Sequence, residues 1–306
     1  MSIAPTSALA ALSNDLTSAV ARIAPSVLYV DAHPRRDASG FAWDERHVVT
    51  VDHAIDREDD IALVTDGERR IRATLVGRDH ATDLALLRSD EPLTVAPRSS
   101  AELAVGNIVL AVGRDEDGAP GATFGVLSAL DGPWRTWRGG EIERFVRPDL
   151  NVYSSFSGGP LVDASGAVVG LNTWGLSRRT ALTLPLGTLE RIVAQLASGG
   201  RIARGYLGVA LQSVRLPEAL RAAHALDARS AALVVDVAPG GPAERGGVTI
   251  GDVILALGDA PIGDVDDLQR ALGRVPIDTT QTVRLIRGGA SQTLDVVVTE
   301  RPHDDE

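Results

Sequence analysis

Phe156-Ser157-Gly158-Gly159-Pro160-Leu161-Val162-Asp163 is the stretch from which the rest of the chain is read. A serine followed by two glycines and a proline, leading into an apolar run, lets backbone N–H groups approach a reacting carbonyl with no side chains in the way. Asp163-Ala164-Ser165-Gly166 is a turn signal between the apolar runs 161–162 and 168–171, so the serine stands just before a hairpin. That is the setting of a nucleophile. A serine hydroxyl does not attack unassisted at neutral pH, so the reading requires a histidine base and an orienting carboxylate elsewhere in the fold.

Outward from the serine, the chain is a series of short apolar or alternating runs closed by Gly, Pro, Asp or Asn. Residues 26–30, 47–51, 61–64, 71–76 and 84–87 read as strands of one antiparallel unit. Residues 108–112, 122–127, 161–162 with 168–171, and 181–184 form a second set, and 91–100 connects the two. Two successive sets of short strands predict paired β-barrels. Before them, Leu9, Leu12, Leu16, Val20 and Ile23 recur at helical steps until Pro25. After them, Leu189, Ile192, Val193 and Leu196 resume that spacing until Gly199-Gly200. From Arg204 the texture changes again. A helix near 216–226, a strand at 232–237, a loop at 239–247, a strand at 253–256, a helix at 265–272 and strands at 282–286 and 293–298 predict one small α+β domain. The expected division is 1–203, 204–300 and a polar tail at 301–306.

Composition narrows the function classes. The chain has 306 residues, ample for two or three domains, and its 44% apolar content is enough for a sizeable core. A net charge of -11 argues against nucleic-acid binding, which draws its affinity from phosphate neutralisation. There is no cysteine, hence no disulfide framework and no thiolate metal site. No stretch reaches the roughly 18 apolar residues of a membrane span. The N-terminal residues lack the charged start and long apolar run of a secretory signal, which gives a cytoplasmic expectation, replaced by a periplasmic or cell-envelope one if an export segment was removed.

The required partners are present upstream. His53 ends the β-like run 48–51, which places an imidazole at the mouth of a barrel. Asp83 lies immediately before the apolar run Leu84-Ala85-Leu86-Leu87, where a carboxylate can be half buried against an imidazole N–H. The order His53, Asp83, Ser157 is one of the convergent chain orders of Ser/His/Asp catalysis.

With those residues in place, the chain resembles the HtrA/Deg family of serine proteases, a mostly β architecture with a chymotrypsin-like double β-barrel protease domain followed by an α+β PDZ domain. The resemblance is carried by Ala38-Ser39-Gly40-Phe41, Thr50 to Ala54, Thr82 to Leu87, Val105-Gly106, Ala111-Val112-Gly113, Phe124 to Ala129, Ser157 to Asn172 and Arg204-Gly205-Tyr206-Leu207-Gly208-Val209. It implies ATP-independent cleavage of misfolded or signal-bearing proteins, no metal or organic cofactor, and assembly as a homotrimer or a larger assembly of trimers. It further implies an oxyanion hole built from backbone N–H groups of Ser155, Phe156 and Ser157, and substrate contacts at Asn172, Thr173 and Trp174. In the third unit it implies capture of protein C-termini by the N–H groups of Leu207, Gly208 and Val209, with Leu211, Leu268 and Leu272 shaping a side-chain pocket.

One departure stands out. The family usually carries Gly-Asn ahead of the catalytic serine, and this chain has Ser155-Phe156. A Cβ at position 155 disfavours a positive φ by about 1 to 2 kcal/mol. Two readings follow: an endopeptidase whose oxyanion loop is weak or ordered only by substrate or partner, and a protease-derived peptide-binding or chaperone protein with negligible catalysis.

Overall fold

The computed structural model describes residues 7–177, 179–199, 202 and 205–300. Gly200, Arg204 and the polar tail at 301–306, each named in the sequence reading, lie outside the described residues. The chain divides into two compact units, Met1–Ile202 and Ala203–Glu306.

In the first unit, α1 (Ala8–Ile23) starts at Ser7, whose hydroxyl accepts the Ala10 N–H. It buries Ala19 and Ile23, with Leu16 and Val20 packed beside them, while Leu9 and Leu12 at its start stay exposed. Strands β1 (Val27–Asp31), β2 (Ser39–Ala42), β3 (His47–Thr50), β4 (Ile61–Val64), β5 (Arg70–Asp79) and β6 (Leu84–Ser89) close into an antiparallel barrel in the order β1-β2-β3-β6-β5-β4. The sequence pattern does not predict β2, because Ser39-Gly40 reads as a turn. The barrel needs that glycine: a Cβ on Gly40 would lie 2.8 Å from both Val48 Cγ1 and the Val49 carbonyl oxygen.

The second half contains β7 (Ile108–Arg114), β8 (Pro120–Asp131), the small hairpin β9 (Trp134–Arg135) and β10 (Glu141–Ile142), then β11 (Phe145–Asp149), β12 (Pro160–Asp163), β13 (Val168–Thr173) and β14 (Leu182–Pro185). Six of these pair in the order β11-β8-β7-β12-β13-β14, and the two ends, β11 and β14, come back against each other. Helix α2 (Leu186–Gly199) buries Leu189, Ile192, Val193 and Leu196 against strands of both halves. Arg114 fastens the halves from inside. Its buried guanidinium donates to the Val27 carbonyl at 2.5 Å, the Ala24 carbonyl at 2.7 Å and the Gly118 carbonyl, so each of its three nitrogens has a partner.

The second unit has β15 (Gly205–Tyr206), β16 (Val209–Arg215), α3 (Glu218–Ala223), β17 (Ser230–Val237), α4 (Pro242–Arg245), β18 (Val253–Leu257), β19 (Ala260–Pro261), α5 (Val265–Leu272), β20 (Thr279–Arg287) and β21 (Ala290–Glu300). Its sheet runs β15-β21-β20-β18-β17-β16, with β19 paired to β18, so β16 is an edge strand. Val234, Ile254, Leu268, Leu285 and Val296 share its core. The expected order of strands and helices, two β-rich halves and then an α+β unit, is the one observed. Among the described residues no helix is long and apolar enough to cross a membrane.

Candidate active site

Strand register brings the histidine and the aspartate together. β3 pairs with β6 through Thr50↔Ala85, so the chain leaving β3 and the chain entering β6 meet at the same end of the barrel. Past β3, the 3-10 turn Asp52–Ala54 presents His53. Before β6, Asp83 takes a left-handed φ of 58°, a conformation that Asp tolerates better than most residues. Its fully buried carboxylate lies 2.8 and 3.0 Å from His53 Nδ1, accepts the His53 backbone N–H at 3.0 Å and accepts the Thr173 hydroxyl. A ring nitrogen this close to a carboxylate holds the proton, which leaves Nε2 as the basic nitrogen.

Ser157 enters from the other half. The turn between the 3-10 residues Ser154–Phe156 and β12 relies on Gly158, whose φ of 87° and 2.1 Å gap between an added Cβ and the Ser39 carbonyl oxygen exclude a side chain. The Gly158 N–H donates to the Asn172 carbonyl at 2.7 Å, and the Asn172 N–H to the Gly159 carbonyl at 3.0 Å, tying the serine turn to β13. The Trp174 backbone N–H donates to Ser157 Oγ at 3.3 Å. His53 and Ser157 line one cleft of about 440 Å³ together with Arg35, Arg36, Asp37, Val152, Ser154 and Trp174. No hydrogen bond joins His53 to Ser157 among the described residues.

The oxyanion expectation needs correction for this conformation. Ser154–Phe156 form a single 3-10 turn in which the Phe156 N–H donates to the Tyr153 carbonyl at 2.9 Å and the Ser157 N–H to the Ser154 carbonyl at 3.1 Å. Two of the three N–H groups assigned to an oxyanion hole are therefore engaged within the turn. Ser155 is not among the residues with positive φ, so its Cβ is unstrained here. The Ser39 hydroxyl donates to the Ser155 carbonyl at 2.6 Å and accepts the Arg114 N–H at 2.9 Å, and the Phe156 ring is buried against Gly113. The turn is thus anchored at both its second and third residues.

The three residues expected to contact substrate, Asn172, Thr173 and Trp174, lie in different surroundings. Asn172 is fully buried, its Oδ1 accepting the Thr183 hydroxyl at 2.9 Å, and it does not line the cleft. β13 is buried at every position, so Asn172 has no solvent-facing side of the strand to turn to. Thr173 is also buried and reaches Asp83, not solvent. Trp174 alone lines the cleft, with its indole N–H donating to the Val152 carbonyl at 2.9 Å. Missed from sequence were Arg35, Arg36 and Asp37. Their run, Pro34-Arg35-Arg36-Asp37, reads only as a polar turn, and nothing local says that it rims a cleft.

Behind His53, the preceding residue Asp52 is buried and holds Arg78 Nε at 2.6 Å and the His80 ring. Burial alone would raise its pKa, but His80 and Arg78 together hold the carboxyl below the usual value.

In the second unit, Leu207 is buried and Gly208 has φ 76°. Their carbonyls accept the Ala243 N–H at 2.7 Å and the Ala238 N–H at 2.8 Å. Val209, Leu211 and Leu272 are partly buried around the core, whereas Leu268, expected in a side-chain pocket, is buried within that core.

The trypsin-like peptidase domain family matches residues 38–171, and the PDZ domain family matches 205–298. A probable periplasmic serine endoprotease DegP-like of Pseudomonas putida is 33% identical over 266 residues, covering 85% of this chain and 54% of its own length. A protein of the same description from Rhizobium meliloti is 32% identical, over 89% of this chain and 55% of its own. The chain thus spans about half the length of the curated relatives it matches. Among solved structures, the serine endoprotease from Yersinia pestis has a TM-score of 0.72 at 28% identity, covering 98% of this chain and all of that one. The HtrA-type protease AlgW with a tripeptide has a TM-score of 0.71 at 28% identity, covering 95% and 98%. The relatives are named periplasmic, so the cytoplasmic expectation gains no support from them.

Proposed function

The chain belongs to the HtrA/Deg family of serine proteases, and on that footing we propose that it is an ATP-independent serine endopeptidase of protein quality control, cleaving misfolded or signal-bearing proteins. The observation that carries the reading is the buried Asp83 carboxylate on His53 Nδ1, in the cleft that Ser157 lines. In this mechanism His53 Nε2 takes the Ser157 proton as Oγ attacks the scissile carbonyl, then returns it to the leaving amine, while Asp83 fixes the tautomer and stabilises the imidazolium. Water then hydrolyses the acyl-enzyme through the same base.

The oxyanion donors become available by one motion. A peptide is a rigid plane, so turning the Ser154–Ser155 peptide over by about 180° points the Ser155 N–H where the Ser154 carbonyl was. That carbonyl then releases the Ser157 N–H, and both donors face the cleft together. Substrate or a partner peptide supplies the differential affinity for the turned state.

We assign residues 1–203 to the chemistry and 204–300 to peptide capture, with a chain terminus held at Leu207, Gly208 and Val209 and added as a strand beside the edge strand β16. Homotrimer assembly and a periplasmic location, as in the name of the relatives, complete the proposal. The non-catalytic alternative draws nothing from those relatives, which are named endoproteases.

A fluorophosphonate probe is expected to label Ser157, and casein digestion is expected to disappear in Ser157→Ala. Failure of labelling with an unfolded substrate or PDZ ligand present, together with equal, negligible digestion by both proteins, rejects the reading.

A further inference from the structure

We infer that Arg35 and Arg36 form a carboxylate-recognising subsite on the leaving-group side of the cleft, giving a preference for aspartate or glutamate just after the scissile bond. This rests on the proposed endopeptidase chemistry and names part of its substrate class.

Position comes first. Both arginines line the cleft with His53 and Ser157. Their loop, between β1 and β2, is fastened to the histidine itself, because Arg36 Nη1 donates to the His53 backbone carbonyl at 2.5 Å. Trp174 borders Ser157 through its own backbone N–H. In serine-protease chemistry the histidine delivers its proton to the departing amine, so groups beside His53 meet the residues that follow the cleaved bond.

Charge comes second. The chain as a whole carries -11, with 41 acidic residues against 30 basic ones, yet the charged side chains of the cleft other than His53 are two arginines and one aspartate. That aspartate, Asp37, accepts the Tyr29 hydroxyl at 2.9 Å. Neighbouring arginines are already paired: Arg57 and Arg70 both bind the Asp31 carboxylate. Neither Arg35 nor Arg36 has a carboxylate partner among the described residues. A guanidinium with unused donors in a peptide-binding cleft matches a carboxylate side chain in two-point geometry.

The test uses the full chain and two internally quenched peptides with amidated C-termini, identical except for Asp-Glu or Ala-Ala after the cleaved bond. Amidation removes the carboxylate that the second unit would capture. The acidic peptide is expected to be cleaved with a kcat/KM about threefold to tenfold higher, the size expected of two solvent-accessible ion pairs. The ratio should shrink toward one in about 0.5 M salt, and Arg35→Glu should invert it. Equal rates for the two peptides, or a ratio that Arg35→Glu leaves in place, overturn the inference. Binding of the same peptides to Ser157→Ala, followed by fluorescence anisotropy, gives the answer without turnover. Tighter binding of the acidic peptide that Arg35→Glu abolishes supports the subsite, and equal binding overturns it. Absence of all cleavage with an unlabelled Ser157 counts against the endopeptidase reading alone.

Discussion

On the histidine side of the cleft, the Asp83 carboxylate collects the His53 ring, the His53 backbone N–H and the Thr173 hydroxyl from three separate segments of chain. On the serine side, one 3-10 turn uses the Phe156 and Ser157 N–H groups to satisfy carbonyls three residues earlier. The first arrangement is set by the register of β3 on β6 and by the arrival of β13, so it cannot change without moving strands of both halves. The second is set by local hydrogen bonds, with Ser39 and the Phe156 ring as its tertiary anchors. In the proposed mechanism it is exchanged by turning one peptide, with the barrels untouched. The difference teaches that the proposed acid–base pair is built into the fold, while the proposed oxyanion donors are held by a few local bonds.

The sharpest way to break this contrast is at Asp83. Asn adopts the left-handed conformation about as readily as Asp, so Asp83→Asn should keep the fold, seen as an unchanged circular-dichroism spectrum. It should lower kcat by roughly 10⁴, because the amide no longer fixes the tautomer. A loss of less than about tenfold would mean that the histidine side is not preorganised as described.

A smaller effect is expected on the other side. Turning the Ser154–Ser155 peptide carries φ of residue 155 into positive territory, where a Cβ costs about 1 to 2 kcal/mol and glycine costs little. Ser155→Gly should therefore favour the turned state and raise kcat/KM by about 5- to 30-fold on a peptide substrate. An unchanged or lower rate would place the barrier elsewhere than in this peptide.

The smallest effect concerns pH. Asp52, next to His53, has its carboxyl held below the usual range despite burial, through His80 and Arg78. A depressed carboxyl contributes stability that is present in full above its unfolded pKa of about 3.9 and is lost as pH falls through the lower folded value. Urea midpoints measured between about pH 5 and pH 2 should fall for the wild type and fall less steeply for Asp52→Asn. Parallel profiles would remove Asp52 from the acid-sensitive support of the histidine.

Much of the histidine side was legible in advance. His53 closes an apolar strand and Asp83 opens another, and strand ends in a closed barrel have few places to go. The positions of most barrel strands along the chain also followed from short apolar runs between turn residues. Among the strands that escaped were β11 and β2, the latter because Ser39-Gly40 has the composition of a turn and becomes a strand only by fitting beneath Val48 and Val49. Asn172 was expected at the substrate site only through the family resemblance, but its side chain points into the protein toward Thr183. Arg35 and Arg36 gave no signal beyond charge, since rimming a cleft is a property of distant chain brought near.

The sequence by itself singled out the three proposed reacting residues, their order and the domain types, because hydrophobic periodicity and turn chemistry act over a few residues and leave their mark in composition. Only the tertiary structure decided that Thr173 supports Asp83, that two arginines border His53, and that Ser155 and Phe156 rest in a closed turn. Those outcomes depend on which strands lie side by side and on the competition between local and long-range hydrogen bonds for the same backbone groups, and no short window of sequence contains both competitors.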